Sequence, residues 1–302
     1  MEDGFLQTGS EPMSPDAQFA PLEEHRLYAD PRSTAAYRQY TLGDVRMLAL
    51  SDGFIVMNPD FLGTPEHPTA AHDVLHDELG EMVMPIGCFL IPGEANVLID
   101  LGYGPHDQRG EGRMVGGNLI AQLRRAGFSP EDIDIVALSH LHPDHIGWLG
   151  DQGARPTFAN AQLCFGVEDW RYFVDGDSAN LPLAPHLEET LRRLEADGRV
   201  TLLDSDAAVT KNVTRFAAPG HTPGHSIFAV HSRQSRALLF GDAMYCAQQL
   251  TETDWAAMTD VDPKLARRTR ERFVRELEVE GGSAIGCHFP GLTASRVMMG
   301  SA

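Results

Sequence analysis

The chain has 302 residues, 42% of them apolar, and its 43 acidic against 24 basic side chains give a formal net charge of −19. That length can bury a core, but so acidic a surface repels nucleic-acid phosphates and anionic lipid headgroups, which excludes nucleic acid and membrane as partners. No apolar run approaches the roughly eighteen residues that cross a bilayer, and the N-terminal stretch MEDGFLQTGSEPMSPDAQ lacks the basic start and apolar run of a secretory signal.

Four scattered cysteines (Cys88, Cys164, Cys246 and Cys287) form no CxxC pair and read as reduced thiols of a cytoplasmic protein. Residues 1–34 are polar and weakly periodic, which predicts an N-terminal arm, flexible or wrapped on a second subunit. The remainder, 35–302, reads as a single domain. Runs 45–50 and 54–57 predict early strands broken at Asp52-Gly53. Residues 58–85, with several prolines and histidines, predict a long loop of the kind that serves as a lid or binding loop.

Residues 87–91 and 96–100 predict a hairpin around Pro92-Gly93, and Leu119, Ile120 and Leu123 share a helical face that ends at Gly127. Residues 133–138 predict a buried strand, 183–196 a helix, and 213–217, 226–230 and 237–240 short strands. A helix over 263–280 and a strand over 283–287 complete the series. Strands mixed with helices, and polar clusters at strand ends, imply an α/β sandwich with its site along one edge.

The polar cluster after the 133–138 strand is the strongest signal. Residues 139–149 read SHLHPDHIGWL, and a core would not accept so many imidazoles unpaired. His140 and His142 are two apart, so an extended chain points them the same way, while Asp144 and His145 follow in a turn and can face a second position. One segment thus offers a nitrogen pair to one metal and an oxygen–nitrogen pair to another. Four ligands cannot close two sites, because zinc takes at least three protein groups. Later strand ends supply candidates: His221 in PGHTPGH, Asp242 closing LFGD, and His288 closing AIGCH.

In this order, SHLHPDH, GHTPGH, GDAMY and CHFPG resemble the metallo-β-lactamase-fold hydrolase superfamily, from about Tyr40 to the C-terminus. The resemblance implies an αββα sandwich of two mixed sheets flanked by helices, with a dinuclear metal site at one edge. It implies that His140, His142 and His221 hold one divalent ion, that Asp144, His145 and His288 hold the other, and that Asp242 bridges them. Zinc is the first expectation, with iron, manganese or cobalt compatible. Asp100, closing VLIDLGYG, matches an aspartate that orients the ligand loop, and His225 is expected to be structural or to support a ligand.

Two cations that share a water can lower its pKa enough to give hydroxide near neutral pH, a nucleophile for carbonyl or phosphoryl centres, with Asp144 both ligating and orienting it. Tyr245, three residues after Asp242, resembles the tyrosine of the quorum-quenching N-acyl-homoserine lactonases and would donate to the substrate carbonyl or the leaving alkoxide as a neutral phenol. CHFPG and the long arm resemble instead the methyl parathion hydrolase branch of phosphotriesterases. The reading is therefore a lactonase acting on a small neutral lactone or ester, with an organophosphate phosphotriesterase or arylesterase as one alternative and a glyoxalase-II-type thioesterase as another. A mononuclear iron enzyme and a non-catalytic metal-stabilised binding protein are further alternatives. Phe54, Met57, Phe61, Leu62, Met82, Met84, Phe89 and Trp148 are candidates to line an apolar pocket. A homodimer is expected from relatives with this ligand pattern.

Overall fold

The computed structural model describes residues 23–26, 37–64, 66–67, 81–110, 112–176 and 181–297. In chain order its first strands are β1 (Glu23–Arg26), β2 (Tyr37–Leu42), β3 (Val45–Met57), β4 (Leu62–Gly63), β5 (Met82–Ile91), β6 (Val97–Ile99), β7 (Asp107–Arg109) and β8 (Arg113–Val115). They are followed by β9 (Ile135–Ala137), β10 (Gln162–Gly166), β11 (Val200–Leu203), β12 (Ala207–Thr210), β13 (Val213–Ala217), β14 (Ser226–Ser232), β15 (Ser235–Leu239), β16 (Ala256–Ala257) and β17 (Ser283–Ile285). The helices used below are α1 (Leu119–Arg125), α2 (Pro143–Ile146), α3 (Pro185–Ala196) and α4 (Pro263–Glu280).

One sheet runs β1-β2-β3-β5-β6-β9-β10-β11 with β8 added on β3 and β7 on β8, and a second runs β12-β13-β14-β15-β17. Alternation along the strands sorts side chains into layers, because successive residues point to opposite faces. Met47, Ala49, Phe89 and Ile91 meet Phe228, Val230, Ala237, Leu239 and Ile285 between the two sheets. The intervening Leu48, Leu50, Cys88 and Leu90 pack outward on Leu119 and Leu123 of α1 and Leu187, Leu191 and Leu194 of α3. On the other side, Ile227, Ala229, Leu238 and Ala284 pack on Phe273, Val274 and Leu277 of α4. The architecture is the αββα sandwich expected from the sequence. Phe273 is 0% exposed, so truncating it to Ala would cost about 3–5 kcal/mol.

α4 starts where its sequence says it should. Asp262 caps it by accepting from Leu265 N at 2.9 Å, and Pro263 occupies the first turn, where its missing N–H costs nothing. Among the described residues no helix is long and apolar enough to cross a membrane.

Two expectations change. Asp52-Gly53 does not separate two strands: β3 runs unbroken from Val45 to Met57, with a register shift between Ser51 and Gly53. Its outer partner changes there, from β2 along 45–50 to β8 along 54–56. A Cβ on Gly53 would stand 1.7 Å from the Val115 carbonyl oxygen, so glycine here serves a close approach at a bulge and not a turn. Within 58–85 the chain forms a short 3-10 turn, β4 and the start of β5, and 65 and 68–80 lie outside the described residues. Inside the expected arm, Glu23–Arg26 pairs antiparallel with β2, and the rest of 1–34 lies outside the described residues.

The site follows from strand direction. β6 and β9 are parallel in one sheet, β15 and β17 in the other. Asp100, Asp242 and His288 follow the C-terminal ends of β6, β15 and β17, and the 139–145 segment follows β9.

Candidate metal centre

All seven expected ligand residues are buried and converge. His140 Nε2 and His221 Nε2 each lie 2.9 Å from His142 Nδ1, and Asp242 Oδ2 is 3.4 Å from His221 Nε2 and 4.0 Å from His140 Nε2. On the other side of the same carboxylate, Asp242 Oδ1 is 3.0 Å from His145 Nε2 and 3.1 Å from His288 Nε2. Asp144 Oδ2 stands 3.4 Å from His288 Nε2 and 3.6 Å from His145 Nε2. Two groups therefore share Asp242: His140, His142, His221 and Asp242, and His145, Asp242, Cys287 and His288, with the ligand atoms of each within 4.8 Å of one another.

The chain holds these side chains in place from behind. His142 is the N-cap of α2, so Asp144 and His145 sit in its single turn while His140 remains in the extended lead-in. His145 Nδ1 bonds to Asp100 Oδ2 at 2.9 Å, His221 Nδ1 to Asp260 Oδ1 at 3.0 Å, and His288 Nδ1 to the Pro85 carbonyl at 2.8 Å. With each Nδ1–H donated outward, each Nε2 presents a lone pair inward, which is how metal-ligating imidazoles are oriented. Asp100 also accepts from Ser139 N at 2.7 Å and Ser139 Oγ at 2.8 Å, so one carboxylate positions both the start and the end of the ligand loop. His225 is buried, and its Nε2 accepts from Asp242 N at 3.1 Å, which makes it a support for the shared carboxylate. Gly220, at φ 139°, lets the GHTPGH turn lie against α4, since a Cβ there would be 2.2 Å from Ala266 N.

The donor set fits a pair of cations. His145 Nε2 and His288 Nε2 are buried and make no hydrogen bond, although each faces a carboxylate oxygen. Unpaired imidazole nitrogens and carboxylate oxygens packed this closely repel unless positive charge lies between them. The electrostatics divide the site accordingly. Burial and the neighbouring imidazoles push His140 well below its ordinary value, and His142 down to about 3, so that cluster offers neutral nitrogens. Burial also opposes protonation of His145 and His288, but it is outweighed at His145 by Asp242, Asp144 and Asp100, and at His288 by Cys287, Asp242 and Asp144, which hold both well above 6.5. Positive charge is favoured there, as a proton or as a cation. An all N, O and S donor set of this kind suits zinc and its transition-metal neighbours.

Tyr245 joins the same site. Its hydroxyl donates to Asp242 Oδ2 at 2.7 Å and lies 3.3 Å from Thr259 Oγ1. Burial, Asp242 and Asp260 push the phenol well above its ordinary range, so it is a neutral donor. Phe61 meets its ring edge-on at 5.2 Å.

The expected pocket lining separates. Phe61, Leu62, Met82 and Met84 cluster with Tyr245, with Met57 packed against them. Phe89 does not join them and belongs to the layer between the sheets. Trp148 packs on the outer layer, and its Nε1 donates to Asp52 Oδ1 at 2.8 Å. Phe54 is half-buried under the Arg113 guanidinium. Of the remaining histidines, His72 and His76 lie outside the described residues, and His67 is exposed. Sequence reasoning missed Cys287, whose Sγ lies 3.3 Å from Asp242 Oδ1, and Asp260 behind His221. It also missed Asp169, which accepts from Thr222 Oγ1 at 2.9 Å and Gly224 N at 2.6 Å and so fixes the GHTPGH turn. Cys287 stands beside His288 in the CHFPG motif, whereas Asp260 and Asp169 stand in no spacing that marks them, because each acts across the fold.

Residues 83–288 match the family model described as "Metallo-beta-lactamase superfamily". The chain is 31% identical over 225 residues to the N-acyl homoserine lactonase AiiB of Agrobacterium fabrum, spanning 68% of this chain and 76% of that one. Among solved structures, AidC, described as a dizinc quorum-quenching lactonase, superposes with a TM-score of 0.73 at 23% identity, covering 88% of this chain and 96% of its own. The hydrolase AbOPH superposes equally well, with a TM-score of 0.73 at 24% identity over 89% of this chain and 96% of its own.

Proposed function

The chain belongs to the metallo-beta-lactamase superfamily, and from that premise we propose that this metal-dependent hydrolase is a lactonase that opens N-acyl homoserine lactones. The observation that carries the reading is the Tyr245 hydroxyl, 2.7 Å from the carboxylate shared by the two ligand clusters. The relation to AiiB, an N-acyl homoserine lactonase, supports it.

In this reading His140, His142 and His221 hold one ion, Asp144, His145 and His288 hold a second, and Asp242 lies between. When bound, two divalent cations, zinc first, supply an acidified water and Lewis-acid polarisation of the lactone carbonyl. The chain does the rest. Asp144, at 7% exposure against 3% for Asp242, sits nearer solvent and would accept the hydrogen bond that orients the attacking water. Tyr245, held neutral by burial, donates its hydrogen bond to the carbonyl oxygen or to the departing ring oxygen, where negative charge develops. Asp100, Asp260 and the Pro85 carbonyl fix the imidazoles, so little reorganisation accompanies reaction. Phe61, Leu62, Met82 and Met84 give the tyrosine an apolar backing suited to an acyl chain.

The charge of the protein agrees with this substrate. A lactone is neutral and enters an acidic surface without penalty, whereas ring opening yields a carboxylate that the −19 charge repels, favouring release. A cytoplasmic homodimer is part of the same proposal; the support for the compartment is four cysteines that are all buried and free.

The test is a parallel assay on metal-quantified protein with a medium-chain N-acyl homoserine lactone and a neutral aryl phosphotriester. A lactone kcat/KM at least about a hundredfold higher, worth about 2.7 kcal/mol of transition-state binding, supports the proposal. A phosphotriester preference would transfer the function to that branch and make CHFPG the better guide.

A further inference from the structure

Behind His221, Asp260 also faces a buried arginine, Arg270, that the lactonase reading does not use. Asp260 Oδ1 takes His221 Nδ1 at 3.0 Å, while its Oδ2 lies 3.2 Å from Ala257 N and 3.5 Å from Arg270 Nη1. Both side chains of the pair are fully buried. Arg270 also donates from Nε to the Thr253 carbonyl at 2.8 Å and from Nη1 to the Ala243 carbonyl at 3.3 Å. Ala243 immediately follows the shared Asp242. One guanidinium therefore touches the carboxylate behind His221, the backbone next to the bridging aspartate, and the loop between them.

The backbone follows the same lines. Val261 N bonds to the His221 carbonyl at 3.0 Å and Asp262 N to the Gly220 carbonyl at 2.9 Å, and Thr269 Oγ1 bonds to the Pro219 carbonyl at 2.6 Å. The segment that starts α4 thus grips the GHTPGH turn, and Arg270 returns to it two helical turns later. A buried guanidinium is costly, and Arg270 Nη2 has no hydrogen-bond partner among the described residues. An apolar residue at this position would serve a purely structural core better.

We propose that Arg270 is a positioning residue of the metal centre: acting through Asp260, it fixes the orientation and charge partner of His221 and so sets the affinity of the His140–His142–His221 cluster for its cation. Removing the guanidinium leaves Asp260 buried without its counter-charge, and a weakened Asp260 no longer holds the His221 Nδ1–H outward. The inference rests on the two-ion reading but not on the identity of the substrate.

The experiment is titration of metal-stripped full-length protein with Zn2+ in competition with a chromophoric chelator, for wild type, Asp260→Asn, Arg270→Met and the double variant. Asp260→Asn should weaken one of the two ions about 10- to 100-fold and leave the other unchanged. Arg270→Met should weaken the same ion by about tenfold or more, and the double variant should be no weaker than Asp260→Asn alone. Losses that add in the double variant would show a structural role and overturn the proposal, as would Zn2+ affinities unchanged in Arg270→Met. If circular dichroism shows Arg270→Met unfolded, Arg270→Lys replaces it. Lys cannot span both carbonyls, so a loss confined to the same ion and absent in the Asp260→Asn background is expected, and unchanged affinity refutes the proposal. Wild-type protein that binds two ions yet opens no lactone would sink the substrate reading and leave this test intact.

Discussion

Tyr245 and His288 stack ring on ring, with centroids 5.2 Å apart and planes 7° from parallel, while the Tyr245 hydroxyl donates to Asp242. The stack fixes the phenol by its face, so its position does not depend on the hydroxyl alone. Tyr245→Phe should therefore keep the ring, the fold and both metals. What it removes is one donor at the oxygen that gains charge, which costs roughly 10²-fold in kcat for lactone opening. Steady-state kinetics with metal analysis checks this. Unchanged kcat at full metal content would leave Tyr245 a packing residue only.

His142 has the most exacting place in its cluster, since its Nδ1 stands 2.9 Å from both His140 Nε2 and His221 Nε2. It also packs edge-on to Phe173 at 5.5 Å. On the proposed assignment, His142→Ala removes a ligand and not merely its orienting partner. The loss in kcat/KM should exceed the roughly 100-fold that second-layer changes cause, and most of the metal should go with it. Turnover retained at wild-type metal content would refute the ligand assignment.

Asp52 is a structural hub of the loops beside the site. Its Oδ2 accepts from Tyr103 N at 2.8 Å and Gly104 N at 3.0 Å, and its Oδ1 from Gly117 N at 3.1 Å, Leu119 N at 2.8 Å and Trp148 Nε1 at 2.8 Å. Asp52→Ala orphans these donors around a fully buried position and should cost about 3–5 kcal/mol. Urea unfolding of metal-stripped protein measures this without interference from ligand loss. A change below about 1 kcal/mol would mean that water replaces the carboxylate.

The seven residues that converge at the site were legible in the sequence because each stands at a strand end inside a short motif, so local spacing and chain order carry the information. The αββα layering was legible because alternation in segments such as 45–50 and 226–232 sorts side chains to two faces. What was not legible acts through space. Asp52 reads as half of an Asp-Gly turn, and only the partner change along β3 shows that it sits on a bulge. Asp260 and Arg270 look like a capping acid and a solvated helix charge, although both are buried. Phe89 alternates like its neighbours, and no local rule says which face turns to the second sheet and which to the site. Side-chain pairing between distant segments decides these cases, and hydropathy along the chain does not encode it.

The charge asymmetry of the two clusters predicts how the metal-stripped protein responds to pH. His140, His142 and His225 are pushed down by burial and by neighbouring imidazoles, so below the ordinary 6.5 the unfolded chain takes up protons that the folded chain refuses. These three imidazoles make stability rise as pH climbs from about 3 to 6.5, and Asp169, whose carboxyl burial pushes up to about 7, offsets part of that rise. His145 and His288 are held above 6.5 despite burial, by Asp242, Asp144 and their other anionic neighbours. Their contribution is complete below 6.5 and is lost as pH rises through their folded values. Metal-stripped protein should therefore show a bell-shaped Tm with its maximum near 6.5. Loaded protein should hold its Tm on the alkaline side, because the cations take the place of those protons, and should lose metal as pH falls. Thermal melts across pH with and without chelator decide the matter: a metal-stripped Tm that keeps rising above 6.5 would show that His145 and His288 are not held protonated by the carboxylates around them.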